Sequence, residues 1–147
     1  MNPAHFLQDF QHLFLLSLEA LALPPLMLAG ALCIVSVVLA FVRQHPFRTG
    51  LWRPSDWLIF TQLLFFPAMV AVGALFPSAP GWPFPIENVT GKWLLKGFVY
   101  LSVATSAFWF YRMKGLRWLS ASLLVLQELV LVGAGFIAGM SVRGDWP

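Results

Sequence analysis

The sequence predicts an all-α integral membrane protein: a bundle of four transmembrane helices preceded by an amphipathic helix at the membrane interface. Three observations carry this. The chain is 59% hydrophobic over 147 residues, with a mean hydropathy of +0.78. Only 10% of its residues are charged, against about 25% in an ordinary soluble domain. Its six acids and nine bases are too few to hold the surface of a fold this size in water, so lipid must solvate much of it. Finally, the apolar residues gather into four runs of membrane-spanning length, separated by short segments rich in Pro, Gly, Arg and Trp. The chain reads as a single membrane domain.

Taken in order, Phe6, Leu7, Phe10, Leu13, Phe14 and Leu18 recur at helical spacing, with Gln8, Asp9, His12 and Glu19 among them. That pattern suits an interfacial amphipathic helix over about 6–23. Pro24 and Pro25 then remove backbone donors and force a break or kink before the first span, 26–42. The alternative is one long kinked helix running from Leu13 through that span. A basic loop follows, in which Ser55 or Asp56 can cap the next helix. The second span is 57–76, and Pro67 inside it should kink it. Residues 77–85 hold Pro77, Pro80, Pro83 and Pro85, so this segment is a semi-rigid loop rather than helix or ladder strand. The third span is 93–111 and the fourth 118–140, joined by a tight turn, and a polar tail ends the chain.

Orientation follows from the bases, because Lys and Arg accumulate in cytoplasmic loops. The first and third loops carry Arg43, Arg48, Arg53, Arg112, Lys114 and Arg117, while the other side has Lys92, Lys96 and Arg143. Both termini are therefore expected on the non-cytoplasmic side, in a bacterial cytoplasmic membrane. Trp52, Trp57, Trp109 and Trp118 fall near one interface and Trp82, Trp93 and Trp146 near the other, as aromatic belts do. No Lys or Arg precedes the first apolar stretch, so the N-terminus is expected to be retained rather than cleaved as a leader. The net charge of +3 sits in short clusters between apolar runs, which excludes the basic stripe of a nucleic-acid binder.

Glu128 is the most informative position. It lies near the middle of the fourth span, about 15 Å from the basic-loop end at ~1.5 Å per residue. A carboxylate there costs about 2.5–3.5 kcal/mol to insert, so it should face protein or water and have a partner. At 100° per residue, Ala121, Glu128, Gly135 and Gly139 share a narrow stripe, opposite Leu119, Leu123, Leu126, Val130 and Ile137. This small-residue stripe, with its GxxxG spacing, is expected to be the packing face. Gln62 of the second span and Gln127 beside Glu128 lie at matching depth, as do Cys33 and Ser36 in the first span and Ser102, Thr105 and Ser106 in the third. A polar belt inside the bundle follows.

Two roles for Glu128 are compatible with that belt. It either exchanges a proton or binds a ligand, or it is an acid held by hydrogen bonds from Gln62, Ser102 or Thr105 or by a cation on another subunit. Glu19 and Lys96 form a possible ion pair toward the opposite end. The alternative is that Glu19 faces water and Lys96 snorkels to headgroups. His5, His12 and His45 lie outside the spans, which argues against a bis-His haem between helices. Asn88-Val89-Thr90 fits the glycosylation sequon. Ser55 precedes Gln62 by the same interval as Ser120 precedes Gln127, as a duplicated helical hairpin would produce, or two helices leaving one interface.

No Gly-rich phosphate loop, Ser-His-Asp arrangement, carboxylate pair or Cys/His metal cluster is present in the sequence, and no motif names a cofactor. The expected function is thus a non-catalytic subunit or scaffold of a larger membrane complex, packing against lipid and other membrane subunits or its own copies. A homo-oligomeric proton-coupled transporter or channel using Glu128 is the alternative. A lipid-processing enzyme whose Arg43, Arg48 and Arg53 engage phosphates ranks third, for want of a nucleophile.

Overall fold

The computed structural model describes residues 3–44, 53–79 and 86–144. Among them the elements are α1 Pro3–Leu21, α2 Pro24–Gln44, a 3₁₀ helix Pro54–Leu64 running directly into α3 Phe65–Leu75, α4 Val89–Arg112, a 3₁₀ turn Lys114–Leu116, and α5 Arg117–Arg143. No strand forms among the described residues; Ala79 and Ile86 make one isolated antiparallel bridge across the proline-rich loop. Four segments are long and apolar enough to cross a membrane: Pro24–Gln44, Ser55–Leu75, Val89–Arg112 and Lys114–Arg143. The all-α, four-span membrane bundle is therefore the fold, with α1 as an additional helix.

α1 and α2 are separate helices. Ala22 and Leu23 interrupt them, each amide donating three residues back, to Glu19 and Ala20, and the two prolines open α2, where missing donors cost nothing. α1 lays its apolar stripe on α3 and α5: Leu13 and Ser17 are buried, and Phe14 meets Phe66 edge-on at 5.2 Å. Its polar residues Gln8, Asp9, His12 and Glu19 are exposed.

The second span departs from the expected kinked α-helix. Its first eleven residues wind as 3₁₀ and its last eleven as α. Pro67 bears on the junction of the two halves: it has no N–H for the carbonyl four residues earlier, and its ring crowds that carbonyl. Upstream of that junction the chain keeps i→i+3 bonding over eleven residues, a state seldom held for more than a turn or so. At rises of about 2.0 and 1.5 Å per residue the composite still reaches about 38 Å, beyond the ~30 Å hydrocarbon core.

α5 is the axis of the bundle, touching α1, α2, α3 and α4. Two apolar clusters are built on it. One joins Leu13, Met69, Val70, Leu95, Leu131 and Ala138 among others; the second joins Ala40, Ile59, Trp109, Met113, Leu119 and Leu124 at the basic-loop end. Trp109 is thus a core residue there rather than a member of an exposed belt. Gln62, Ser102 and Gln127, all buried, fall between the two clusters in sequence and divide them with a polar layer.

α3 and α5 approach closely at Gly73, where an added Cβ would stand 3.0 Å from the Ala138 Cα. At Gly133 it would stand 2.9 Å from Leu21 Cδ2. In lipid, such van der Waals fit replaces the hydrophobic effect as the force joining helices. The stripe expected to do this is differently placed. Ala121 and Gly135 are half-buried, and a Cβ on Gly139 would meet nothing within 4 Å. Leu119 and Ile137, assigned to the opposite face, are buried. Because α5 is surrounded by helices, its leucine-rich side packs too.

The ends of α4 and α5 are fixed locally. Asn88 caps α4, its Oδ1 accepting from the Gly91 amide at 3.1 Å while its Nδ2 donates to Pro77 O at 3.3 Å. The sequon asparagine therefore has a structural use. Gly144 closes α5 at φ 79°, the left-handed cap that favours glycine.

Candidate functional site, a polar layer around Glu128

The site lies where the 3₁₀ helix, α4 and α5 meet. Its register follows from helical spacing: Ser102 and Ser106 lie one turn apart on α4, so both hydroxyls face the same carboxylate. Ser106 Oγ donates to Glu128 Oε1 at 2.7 Å, and Ser102 Oγ to Glu128 Oε2 at 3.2 Å. Gln62 closes the layer from the 3₁₀ helix, its Nε2 donating to Thr105 Oγ1 and Ser106 Oγ, each at 2.9 Å. Gln62, Ser102, Thr105 and Glu128, set at one depth by sequence, are brought together, with Ser106 as the hinge of the network.

Proton counting shows what this arrangement can do. A hydroxyl has one proton. Ser106 gives its own to Glu128 and accepts from Gln62. Ser102 divides its proton between Glu128 at 3.2 Å and Val99 O at 2.9 Å. If Glu128 is protonated, its O–H can donate to Ser102 Oγ, whose proton then turns to Val99 O. The same four side chains thus satisfy both charge states without rearranging the backbone.

Glu128 is half-buried and opens on a pocket of about 270 Å³ lined by Met69, Leu95, Val99, Ser102, Leu131 and Gly135, among others. Toward the basic-loop end the second apolar cluster closes the layer. Gln127 does not join the network. It is buried, and neither atom of its amide has a hydrogen-bond partner among the described residues. Cys33 and Ser36 are half-buried on α2.

The basic residues do separate jobs. Arg112 stitches α4 to the start of the second span: Nη2 donates to Ser55 Oγ at 2.9 Å, and Nε lies 3.7 Å from the buried Asp56. Asp56 in turn accepts from the Arg53 amide at 2.8 Å; the N-cap itself is Arg53, with no side-chain cap bond, so neither Ser55 nor Asp56 takes the capping place expected, and Asp56 reaches back to that residue from the third position of the helix. Arg43 lies over the Trp118 ring and Lys114 over Tyr111. Arg53 and Arg117 are exposed; Arg48, like His45, is outside the described residues. His5 and His12 are exposed on α1, and no cluster of three or more metal-ligating side chains forms among the described residues.

Glu19 and Lys96 are not joined. Glu19 is exposed on α1, whereas Lys96 stands over the Trp93 ring at 4.8 Å. The acid that pairs with the bases at this end is Glu87, which lies 2.7 Å from Lys92 Nζ and 3.9 Å from Arg143 Nε. Sequence reasoning passed over it, although it lies five residues before Lys92. The hydrogen bond from Lys92, aided by the charges of Lys92, Arg143 and Lys96, holds the Glu87 carboxyl below its ordinary value of 4.5. A depressed carboxylate stabilises the fold above its unfolded value and loses that contribution as pH falls through the folded one. Thermal unfolding of the detergent-solubilised chain should therefore show a small extra loss below pH 4.5 that Glu87→Gln removes. The loss is small because the pair is solvent-screened. No family model, curated protein or solved structure matches this chain.

Proposed function

We propose that the chain is a non-catalytic subunit of a larger membrane assembly, with its basic loops cytoplasmic and both termini on the other side of a bacterial cytoplasmic membrane. The observation that carries this reading is α2. It is 21 residues long, and among its described residues Ala40 alone is buried. One whole span thus attaches along a single edge and offers a broad apolar face, including Leu28, Leu32, Val35 and Leu39, to membrane components outside the chain. Gentle detergent extraction from the native membrane followed by native mass spectrometry should yield the chain with a second membrane protein. Val35→Trp should release that protein without unfolding the bundle, and recovery of a lone monomer from the unaltered chain would defeat the proposal.

A second reading is supported by the pocket that reaches Glu128 and by a network able to hold either charge state. In it, Glu128 carries a proton or a cationic ligand in a homo-oligomeric transporter, with Gln62 lining the site and the 3₁₀ segment before Pro67 as the flexible element. Its test is proton-driven flux in Glu128→Gln.

A further inference from the structure

The Gly135–Gly139 stripe, which no helix of the chain approaches closely, forms the floor of a groove of about 590 Å³ between α4 and α5. Leu95, Val99 and Val142 wall it, and Lys92, Lys96 and Arg143 stand at its mouth. A Cβ on Gly139 would meet nothing within 4 Å, and one on Gly135 only Met69 Sδ at 3.7 Å. The floor is therefore open and flat over a full helical turn. The groove shares Leu95, Val99 and Gly135 with the deeper pocket that ends at Glu128, so the apolar trough continues inward. Its size falls in the ~300–1,000 Å³ range of small-molecule sites.

Charge decides what fits. Among the described residues at the mouth, three cations face the single carboxylate of Glu87, which Lys92 and Arg143 share. Lys96 makes no ion pair among the described residues and projects over the exposed Trp93 ring. A cationic mouth over an apolar trough complements a headgroup of negative charge on an acyl chain. A neighbouring helix docking on a glycine pair would want an uncharged face there instead. We propose that this groove binds an anionic phospholipid of the surrounding leaflet, its phosphate at Lys96, Lys92 and Arg143 and one acyl chain along Gly139 and Gly135.

The test uses the full chain, delipidated in mild detergent and offered equimolar phosphatidylglycerol and phosphatidylcholine with identical acyl chains, read by native mass spectrometry. At least fivefold more phosphatidylglycerol than phosphatidylcholine adduct is expected. Lys96→Gln should bring the two toward parity. Gly139→Leu, which fills the trough, should reduce both adducts at least fivefold while leaving the unfolding temperature of the delipidated chain unchanged. Gly139→Ala provides the milder version should leucine perturb folding, with an intermediate loss of both adducts. Equal adducts on the unaltered chain would overturn the proposal. So would phosphatidylglycerol selectivity indifferent to both Gly139 variants, or a dimer that Gly139→Leu dissociates while lipid adducts persist, since that would make the groove a seat for a second copy.

Discussion

Gly73→Leu is expected to destabilise the bundle by at least about 2–3 kcal/mol, the upper part of the range for forcing methylenes into a packed interior. Even the first added carbon would stand 3.0 Å from the Ala138 Cα and 3.1 Å from its Cβ, with Leu13 Cδ1 at 3.3 Å. Two of those atoms belong to a helix backbone and the first side-chain carbon on it, so they can yield only if α3 and α5 separate. Separation would also break the Ser141 Oγ bond to Gly73 O, 3.0 Å long, and loosen α1, which leans on the same crossing. Unfolding by denaturing detergent, followed by tryptophan fluorescence, should show the loss. Gly139→Leu, on the open side of the same helix, should leave the delipidated chain within about 0.5 kcal/mol of the unaltered one. If the two substitutions cost the same, the α3–α5 crossing is not a tight point of the fold.

That contrast marks where the sequence was legible. Four spans were readable because lipid imposes a length and an apolar composition on every span regardless of its neighbours. The depth of Gln62, Ser102, Thr105 and Glu128 was equally readable, since depth is a count of residues from the basic loops at a fixed rise. Rotation about each helix axis was not. It depends on which neighbours press where, and α5, touched by four helices, has no single packing face for a periodicity to reveal. The glycines in tight contact, Gly73, Gly91 and Gly133, lie in no GxxxG pair with one another, while the pair that has the spacing is left open. The 3₁₀ stretch was out of reach for a related reason. Pro67 predicts a disturbance, but whether the chain kinks or tightens over eleven residues depends on tertiary surroundings that an apolar periodicity does not carry. Gln127, matched to Gln62 in depth, points elsewhere and goes unpaired, because on α5 it is one residue, or about 100°, away from Glu128.

The strongest test of the polar layer separates the serines from the acid. Ser102→Ala with Ser106→Ala removes both donors to the Glu128 carboxylate and the acceptor that Gln62 uses on Ser106. Hydrogen bonds between helices in lipid average about 0.6 kcal/mol and reach about 1.7, and the double variant removes three: Ser102 and Ser106 to Glu128, and Gln62 to Ser106. The double variant should therefore lose about 2–3 kcal/mol in the same unfolding assay. Glu128→Gln should lose less than about 1 kcal/mol. Its carbonyl still accepts from Ser106, its amide can donate to Ser102 Oγ, and the Ser102 proton turns to Val99 O, as it would for protonated Glu128. The two variants thus divide structure from protonation. If the chain acts through proton exchange, Glu128→Gln abolishes proton-driven flux in proteoliposomes while the fold survives. If the layer only holds helices together, Glu128→Gln leaves both partner recovery and flux where they were, and the double serine variant impairs assembly through stability alone. A Glu128→Gln protein as unstable as the double serine variant would contradict the network itself, because it would mean that the charge, rather than the ring of donors and acceptors, holds α4 against α5.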